Sequence, residues 1–241
     1  MTEKFGMTCA KLISVKLIFL IALISLIVSL YPLTKSGLIA GHDSGYHATR
    51  TQLFQNAFKD GQFPVRWIEG PGPGQSHPLF EFYPPGFYYL SSFLTIYGAL
   101  IVISILGWLG MFLFIKKLTK SNLGALASAT LFIFSPYHFS QLYVRAAYPE
   151  LLATALIPWA FLGVLTSPIS LILPISLMVF AHQPTLIMIA IPLLIWALLH
   201  WKKSHLLVPP LALGLSAWFI LPLIFEQQFI RAGMLSSNYF D

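Results

Sequence analysis

Apolar residues run almost unbroken through seven stretches of this chain, near residues 15–33, 98–116, 123–140, 151–166, 168–182, 184–200 and 205–225. Most approach the roughly 20 apolar residues that a helix needs to cross a bilayer. Open sheet is excluded in such runs, because lipid cannot satisfy a sheet edge. The pattern therefore predicts an all-α fold, a polytopic transmembrane bundle of about seven spans. Pro158, Pro174, Pro192, Pro209, Pro210 and Pro222 fall inside the runs and read as kinks in packed membrane helices.

The longest polar interruption covers residues 34–83. Within it Leu53, Phe54, Ala57 and Phe58 form an apolar stripe at helical spacing, opposite Arg50, Gln52 and Gln55. That pattern predicts an amphipathic helix lying in the membrane interface, ended by Lys59-Asp60-Gly61. Gly70-Pro71-Gly72-Pro73-Gly74 must be a loop. Tyr83-Pro84-Pro85-Gly86-Phe87-Tyr88-Tyr89 restarts a helix, with proline tolerated in its first turn. The apolar run from Pro85 to Leu118 exceeds one span. It reads as a short interfacial or re-entrant helix, a break at Gly98, and a span over 98–116. Residues 1–241 thus form one membrane domain: a cytoplasmic N-terminus (1–14), an outer loop (34–83), the spans, and an outer tail (226–241) expected to open a further C-terminal part.

Composition fits lipid as the solvent. The chain is 57% hydrophobic and only 9% charged, against roughly 25% charged in soluble domains. The net charge of +6 comes without a basic run long enough for nucleic acid, so nucleic acid is not an expected partner. The single cysteine, Cys9, allows no internal disulfide and no cysteine metal cluster. The first apolar run lacks a clean small-residue cleavage site and reads as a retained anchor. Lys4, Lys11, Lys16, Lys116, Lys117, Lys120, Lys202 and Lys203 all fall on one side if the N-terminus is cytoplasmic. Arg50, Arg66, Arg145, Arg231 and every acid except Glu3 then fall outside. The expectation is a multi-pass protein of a bacterial plasma membrane with an extracytoplasmic active face.

The chemistry concentrates in four outer segments. Gly41-His42-Asp43-Ser44-Gly45-Tyr46-His47-Ala48-Thr49-Arg50 holds an acid, two imidazoles and a guanidinium. If the residues after Asp43 are helical, Asp43, His47 and Arg50 share one face. Asp43 also suits a helix N-cap. Arg66 stands beside Trp67, an interface anchor or a ligand platform. Glu81 and Tyr83 lie among aromatics before the chain re-enters the membrane. The last group is Arg145, Tyr148 and Glu150, with His182 at another outer helix end. Glu150 also suits a helix N-terminus electrostatically, and His182 suits a satisfied core position. His42 and His77 read as exposed loop residues. No ligand spacing is diagnostic of a metal; a divalent cation is possible but not indicated.

Arginine suits bidentate phosphate binding, and a carboxylate serves as general base on an acceptor hydroxyl. The scheme that fits takes Asp43, His47 and Glu150 as catalytic candidates. It takes Arg50, Arg66, Glu81, Tyr83, Arg145, Tyr148 and His182 as substrate-binding candidates. The donor is a sugar on a polyprenyl phosphate, delivered within the bilayer to an acceptor that the sequence does not identify. No Gly-rich phosphate loop is present. A transporter would place ionisable groups in mid-membrane, whereas these spans are almost uncharged. A non-catalytic lipid-headgroup-binding protein, or an inactive truncated relative, is the alternative.

An outer-loop aspartate, a following interfacial helix and a helical bundle resemble the GT-C superfamily of membrane glycosyltransferases. More closely, four strings are similar to bacterial membrane proteins labelled 6-pyruvoyl-tetrahydropterin synthase-related. They are Gly41-His42-Asp43…His47…Arg50, Gly61-Gln62-Phe63-Pro64-Val65-Arg66-Trp67, Phe82-Tyr83-Pro84-Pro85…Tyr88-Tyr89 and Ser135-Pro136-Tyr137…Arg145…Glu150. No zinc-histidine pattern supports the pterin chemistry of that label. The resemblance implies that Asp43 acts as general base in an inverting transfer. Members of that superfamily usually run longer, with more spans.

Overall fold

A computed structural model of the chain describes residues 17, 18, 20–35, 41–70 and 74–229. Lys4, Cys9, Lys11, Lys16, Arg231, the Pro71–Pro73 stretch and the segments expected as N-terminus (1–14) and distal tail (230–241) lie outside the described residues.

The described chain is helical apart from a hairpin. Helix α1 spans Leu20–Thr34, and α2 spans Ser44–Lys59. Strands β1 (Ile68–Glu69) and β2 (Ser76–His77) pair antiparallel, Ile68 opposite His77. Then follow α3 (Leu79–Phe82), α4 (Gly86–Thr119), α5 (Asn122–Ile133), α6 (Pro136–Phe139), a π turn (Ser140–Val144), α7 (Tyr148–Leu165), α8 (Pro168–Ala181), α9 (Gln183–Leu199) and α10 (Val208–Phe225). Three segments are long and apolar enough to cross a membrane: α4, α7 and Lys203–Phe225, which contains α10. Helices α1, α8 and α9 are apolar but shorter.

Of the expected spans, the one over 123–140 differs most. The helix read over 123–140 stops at Ile133, so α5 has 12 residues and about 18 Å of length. Ser135-Pro136 explains the stop. The Ser135 hydroxyl accepts the His138 N–H at 3.2 Å and caps a new turn, and proline favours that first-turn position. The break within the long run also falls earlier than Gly98. Thr95 adopts φ 64° and ψ 167° inside α4, a backbone that β-branched residues rarely take. Its hydroxyl accepts the Gly98 N–H at 3.3 Å, capping the second half of α4.

The buried side of α2 is Ser44, His47, Thr51 and Phe54. Leu53, Ala57 and Phe58 of the expected stripe are only half-buried. The helix lies on protein, and polar His47 and Thr51 take up hydroxyl partners on α4: Tyr88 at 2.7 Å and Ser91 at 3.4 Å. Beneath it sits the main core, where Phe54, Phe80, Phe87, Tyr88, Leu100, Tyr148 and Leu151 pack together.

Helices α4 and α7 run side by side in the same direction. The Trp159 indole donates to Leu106 O at 2.9 Å, and Tyr97 and Tyr148 border one cavity. At their far end Lys202 Nζ donates to Leu165 O and Thr166 O, at 3.2 and 3.1 Å. A cation there suits the negative C-terminus of α7. Arg66, Arg145, Glu81, Glu150 and Glu226 gather at the near end, through the contacts described below.

Close packing of α7 on α8 depends on Gly163. A Cβ there would lie 2.6 Å from Leu171 Cα and 2.8 Å from Ser170 O, both backbone atoms. Gly163→Ala is expected to cost about 1–3 kcal/mol, read as a lower thermal midpoint in detergent. Gly214→Ala is the control: its Cβ meets nothing within 4 Å, and its midpoint should hold or rise slightly.

Candidate functional site

The chain enters α2 by leaning on the segment that leads into α7. His42 N–H donates to Val144 O at 2.9 Å, and Asp43 N–H donates to Arg145 O at 3.0 Å. Gly41 permits that approach, since a Cβ would stand 2.8 Å from Ala146 Cβ and 3.1 Å from Val144 O. Ala146 itself adopts φ 55° to turn the chain into α7. Asp43 occupies the N-cap position of α2, yet its side chain makes no capping hydrogen bond. The carboxylate is exposed, and among the described residues it enters no ion pair.

Asp43, His47 and Arg50 share the expected face of α2 and differ in burial. His47 is 2% exposed, with Nδ1 2.7 Å from the Tyr88 hydroxyl and its ring 5.1 Å from that of Tyr148. Burial, with the Arg50 charge adding to it and Asp43 opposing, lowers the imidazole pKa to about 4. His47 is therefore neutral near pH 7 and joins Asp43's helix to the core. Arg50 is half-buried; its guanidinium lies 4.6 Å from the centroid of the Tyr83 ring. Burial raises the Tyr83 pKa despite Arg50, so its hydroxyl stays protonated.

The His47 shift has a sign. A lowered pKa favours the neutral form in the fold. Stability is then complete above the ordinary value of about 6.5 and is lost as pH falls toward about 4. Measured over that window, the wild-type midpoint should fall further than that of His47→Gln. The difference should correspond to about 3 kcal/mol at most. Parallel curves would place His47 in a more hydrated setting.

Arg145 and Glu150 form a two-pronged ion pair: Nη2 to Oε2 at 2.8 Å and Nη1 to Oε1 at 3.3 Å. Tyr137 also donates its hydroxyl to Glu150 Oε1. Glu150 thus sits in the first turn of α7 with both oxygens occupied, where the helix dipole favours it. The Arg145 side chain keeps 44% exposure, so part of the guanidinium remains open. The bond to Glu150 raises its pKa further. His182, between α8 and α9, interacts electrostatically with both members of the pair and places Nδ1 2.8 Å from Thr185 Oγ1.

Arg66 and Glu81 form a separate pair at 3.1 Å. Arg66 Nη2 also donates to Trp218 O at 3.1 Å, tying the segment between α2 and α3 to α10. Glu81 is 4% exposed, and burial, then the neighbouring Glu226 charge, raise its pKa. Arg66 and Glu81 border a crevice with Trp218 and Phe219 that has no room even for a water, and so none for a sugar. Tyr148 borders a different cavity, of about 520 Å³, with Thr51, Gln52, Gln55, Thr95 and Tyr97.

The structure thus joins the 41–50 loop to the 144–150 segment and stations Arg66 and Glu81 beside α10. Tyr88 and Tyr137, which hold His47 and Glu150, were not among the sequence candidates. A buried tyrosine inside an apolar run was the available signal for Tyr88, since its hydroxyl needs a partner. Among the described residues no three His, Cys, Asp or Glu side chains form a metal-holding group. No protein-family model, curated protein or solved structure matches the chain.

Proposed function

We propose that this membrane protein transfers a sugar from a polyprenyl-phosphate donor to an acceptor hydroxyl at the outer face, with Asp43 as general base. The observation that carries the reading is the Asp43 carboxylate. It sits at a helix N-cap without capping, and its own backbone is anchored to Arg145. A carboxylate kept out of local hydrogen bonds is free to take a proton.

In the step proposed, the acceptor hydroxyl passes its proton to Asp43 while its oxygen attacks the anomeric carbon. The bond from that carbon to the donor phosphate breaks with inversion, and polyprenyl phosphate leaves as an anion. Arg50, which has no ion-pair partner among the described residues, and the open part of Arg145 would meet that charge. His47, neutral and buried, positions α2. Glu150 positions Arg145.

In this reading the bundle crosses the membrane seven times, α1, α5 continued by α6 and the π turn, α8 and α9 included, with the lysine-bearing end in the cytosol. A reporter inserted after Asp60 should then face away from the cytosol; a cytosolic signal would overturn the sidedness.

The direct test is transfer by the reconstituted chain from a polyprenyl-phosphate hexose, with and without Asp43→Asn. Arg50→Lys keeps the charge but loses the planar fork. It is expected to raise the KM for donor about tenfold, roughly 1.4 kcal/mol, with a smaller change in kcat. One observation favours a second reading: Arg66 and Arg145 are already paired to carboxylates of the same chain. Donor binding without transfer by the folded protein would assign it lipid-headgroup binding instead.

A further inference from the structure

The far end of α2 carries a second polar cavity, which the proposed transfer does not use. Helix α2 has 16 residues, so this end lies about 24 Å from Asp43. The cavity holds about 280 Å³ between the end of α2 and the hairpin, and Asn56, Asp60, Gln62, Trp67, Glu69 and Ser76 line it beside apolar Ile68.

Its geometry is prepared locally. Gly61, at φ 89°, turns the chain out of α2, and Gln62 N–H closes the turn on Ala57 O at 3.1 Å. The Gln62 amide then clamps the backbone of Trp67: its Oε1 accepts Trp67 N–H at 2.7 Å, and its Nε2 donates to Trp67 O at 3.0 Å. The Trp67 side chain remains exposed. Asp60 and Glu69 enter no ion pair among the described residues, although the chain carries a net charge of +6. The cavity is therefore bordered by an exposed aromatic residue, two unpaired carboxylates, an amide at Asn56 and a hydroxyl at Ser76.

We infer that this cavity binds a single carbohydrate ring. The electron-rich face of an indole attracts the C–H side of a pyranose. Carboxylates accept hydrogen bonds from vicinal hydroxyls and accept them strongly, being charged. Asn56 supplies both donor and acceptor. The volume lies just under the roughly 300–1,000 Å³ of sites for drug-sized ligands, which suits one ring rather than a chain. A membrane anchor alone would need Trp67 but not the carboxylates or the amide.

The experiment is saturation-transfer NMR with methyl β-glucopyranoside. It uses the full chain in a detergent without a sugar headgroup. Transfer to the ring protons is expected. Trp67→Leu, which keeps apolar area for an interface anchor, should weaken binding at least tenfold. Asp60→Asn with Glu69→Gln should weaken it several-fold, and Asp43→Asn should leave it unchanged. That last arm separates this site from the proposed transferase centre: loss of sugar transfer there says nothing against binding here. No transfer from wild type of normal thermal midpoint overturns the inference. So does transfer insensitive to both cavity variants. A response to Ca²⁺ with none to the glycoside assigns the carboxylates to a cation and overturns it as well.

Discussion

Asp43→Asn is expected to lower sugar transfer by about 10²–10⁴-fold, the usual contribution of a positioned general base. Its stability should stay within about 0.5 kcal/mol of wild type. The two halves of this prediction come from one observation. The Asp43 side chain makes no capping hydrogen bond, so an amide of the same shape removes no structural contact. The bond that fixes the residue runs from its backbone N–H to Arg145 O, and asparagine keeps it. Asparagine is also a good N-cap, so the helix start is not weakened. What is lost is the capacity to receive a proton. Equal rates for Asp43→Asn and wild type would remove the residue from the chemistry, and a large drop in midpoint would make it structural.

Gly41→Ala should produce the second large effect, through position alone. The added methyl would approach Ala146 Cβ to 2.8 Å and Val144 O to 3.1 Å. Alanine has no rotamer with which to yield, and Ala146 is already held at φ 55°. The loop must therefore move away from the 144–146 segment. That lengthens the His42-to-Val144 and Asp43-to-Arg145 hydrogen bonds together. A stability loss of about 1–3 kcal/mol is expected for the overpacking. A displacement near 1 Å at a reacting group costs on the order of 100-fold in rate. Gly45→Ala is the matched control, because its Cβ meets nothing within 4 Å. If Gly41→Ala and Gly45→Ala transfer sugar at the same rate, the contact between the two segments does not position the base.

Much of the architecture was legible one residue at a time. Helix or closed barrel is all that lipid tolerates, so the apolar runs demanded helices, and their described residues are helical apart from the break at 134–135 and a few terminal positions. Boundaries set by local chemistry were also readable: Gly61 beyond α2 and Pro85 ahead of α4. Two boundaries misled. At Ser135-Pro136 a cap and a proline fall inside apolar sequence, and hydropathy does not register a cap. At Thr95 the break depends on a hydroxyl taking the Gly98 amide, while composition drew the eye to the glycine.

The site was legible as a set of residues and not as a set of partnerships. Sequence marked Asp43, Arg50, Arg66, Glu81, Arg145 and Glu150 because charges are rare here and cost free energy near lipid. It could not say that Glu150 would be saturated by Arg145 and Tyr137, that Arg66 would pair with Glu81, or that Asp43 would be left unpaired. It also set Asp43, His47 and Arg50 on one face, and α2 carries them so, with both charges acting on the His47 imidazole; it could not say that His47 would be buried against the Tyr88 hydroxyl.

By itself, then, the sequence determined the solvent, the helices and the residues able to do chemistry. Each of these is a local property, decided by transfer free energy and by backbone groups within a few positions. Only the tertiary structure decided which cations are free and which carboxylates are spent. An ion pair belongs to two segments at once, and its formation depends on how the helices that carry them come to lie together.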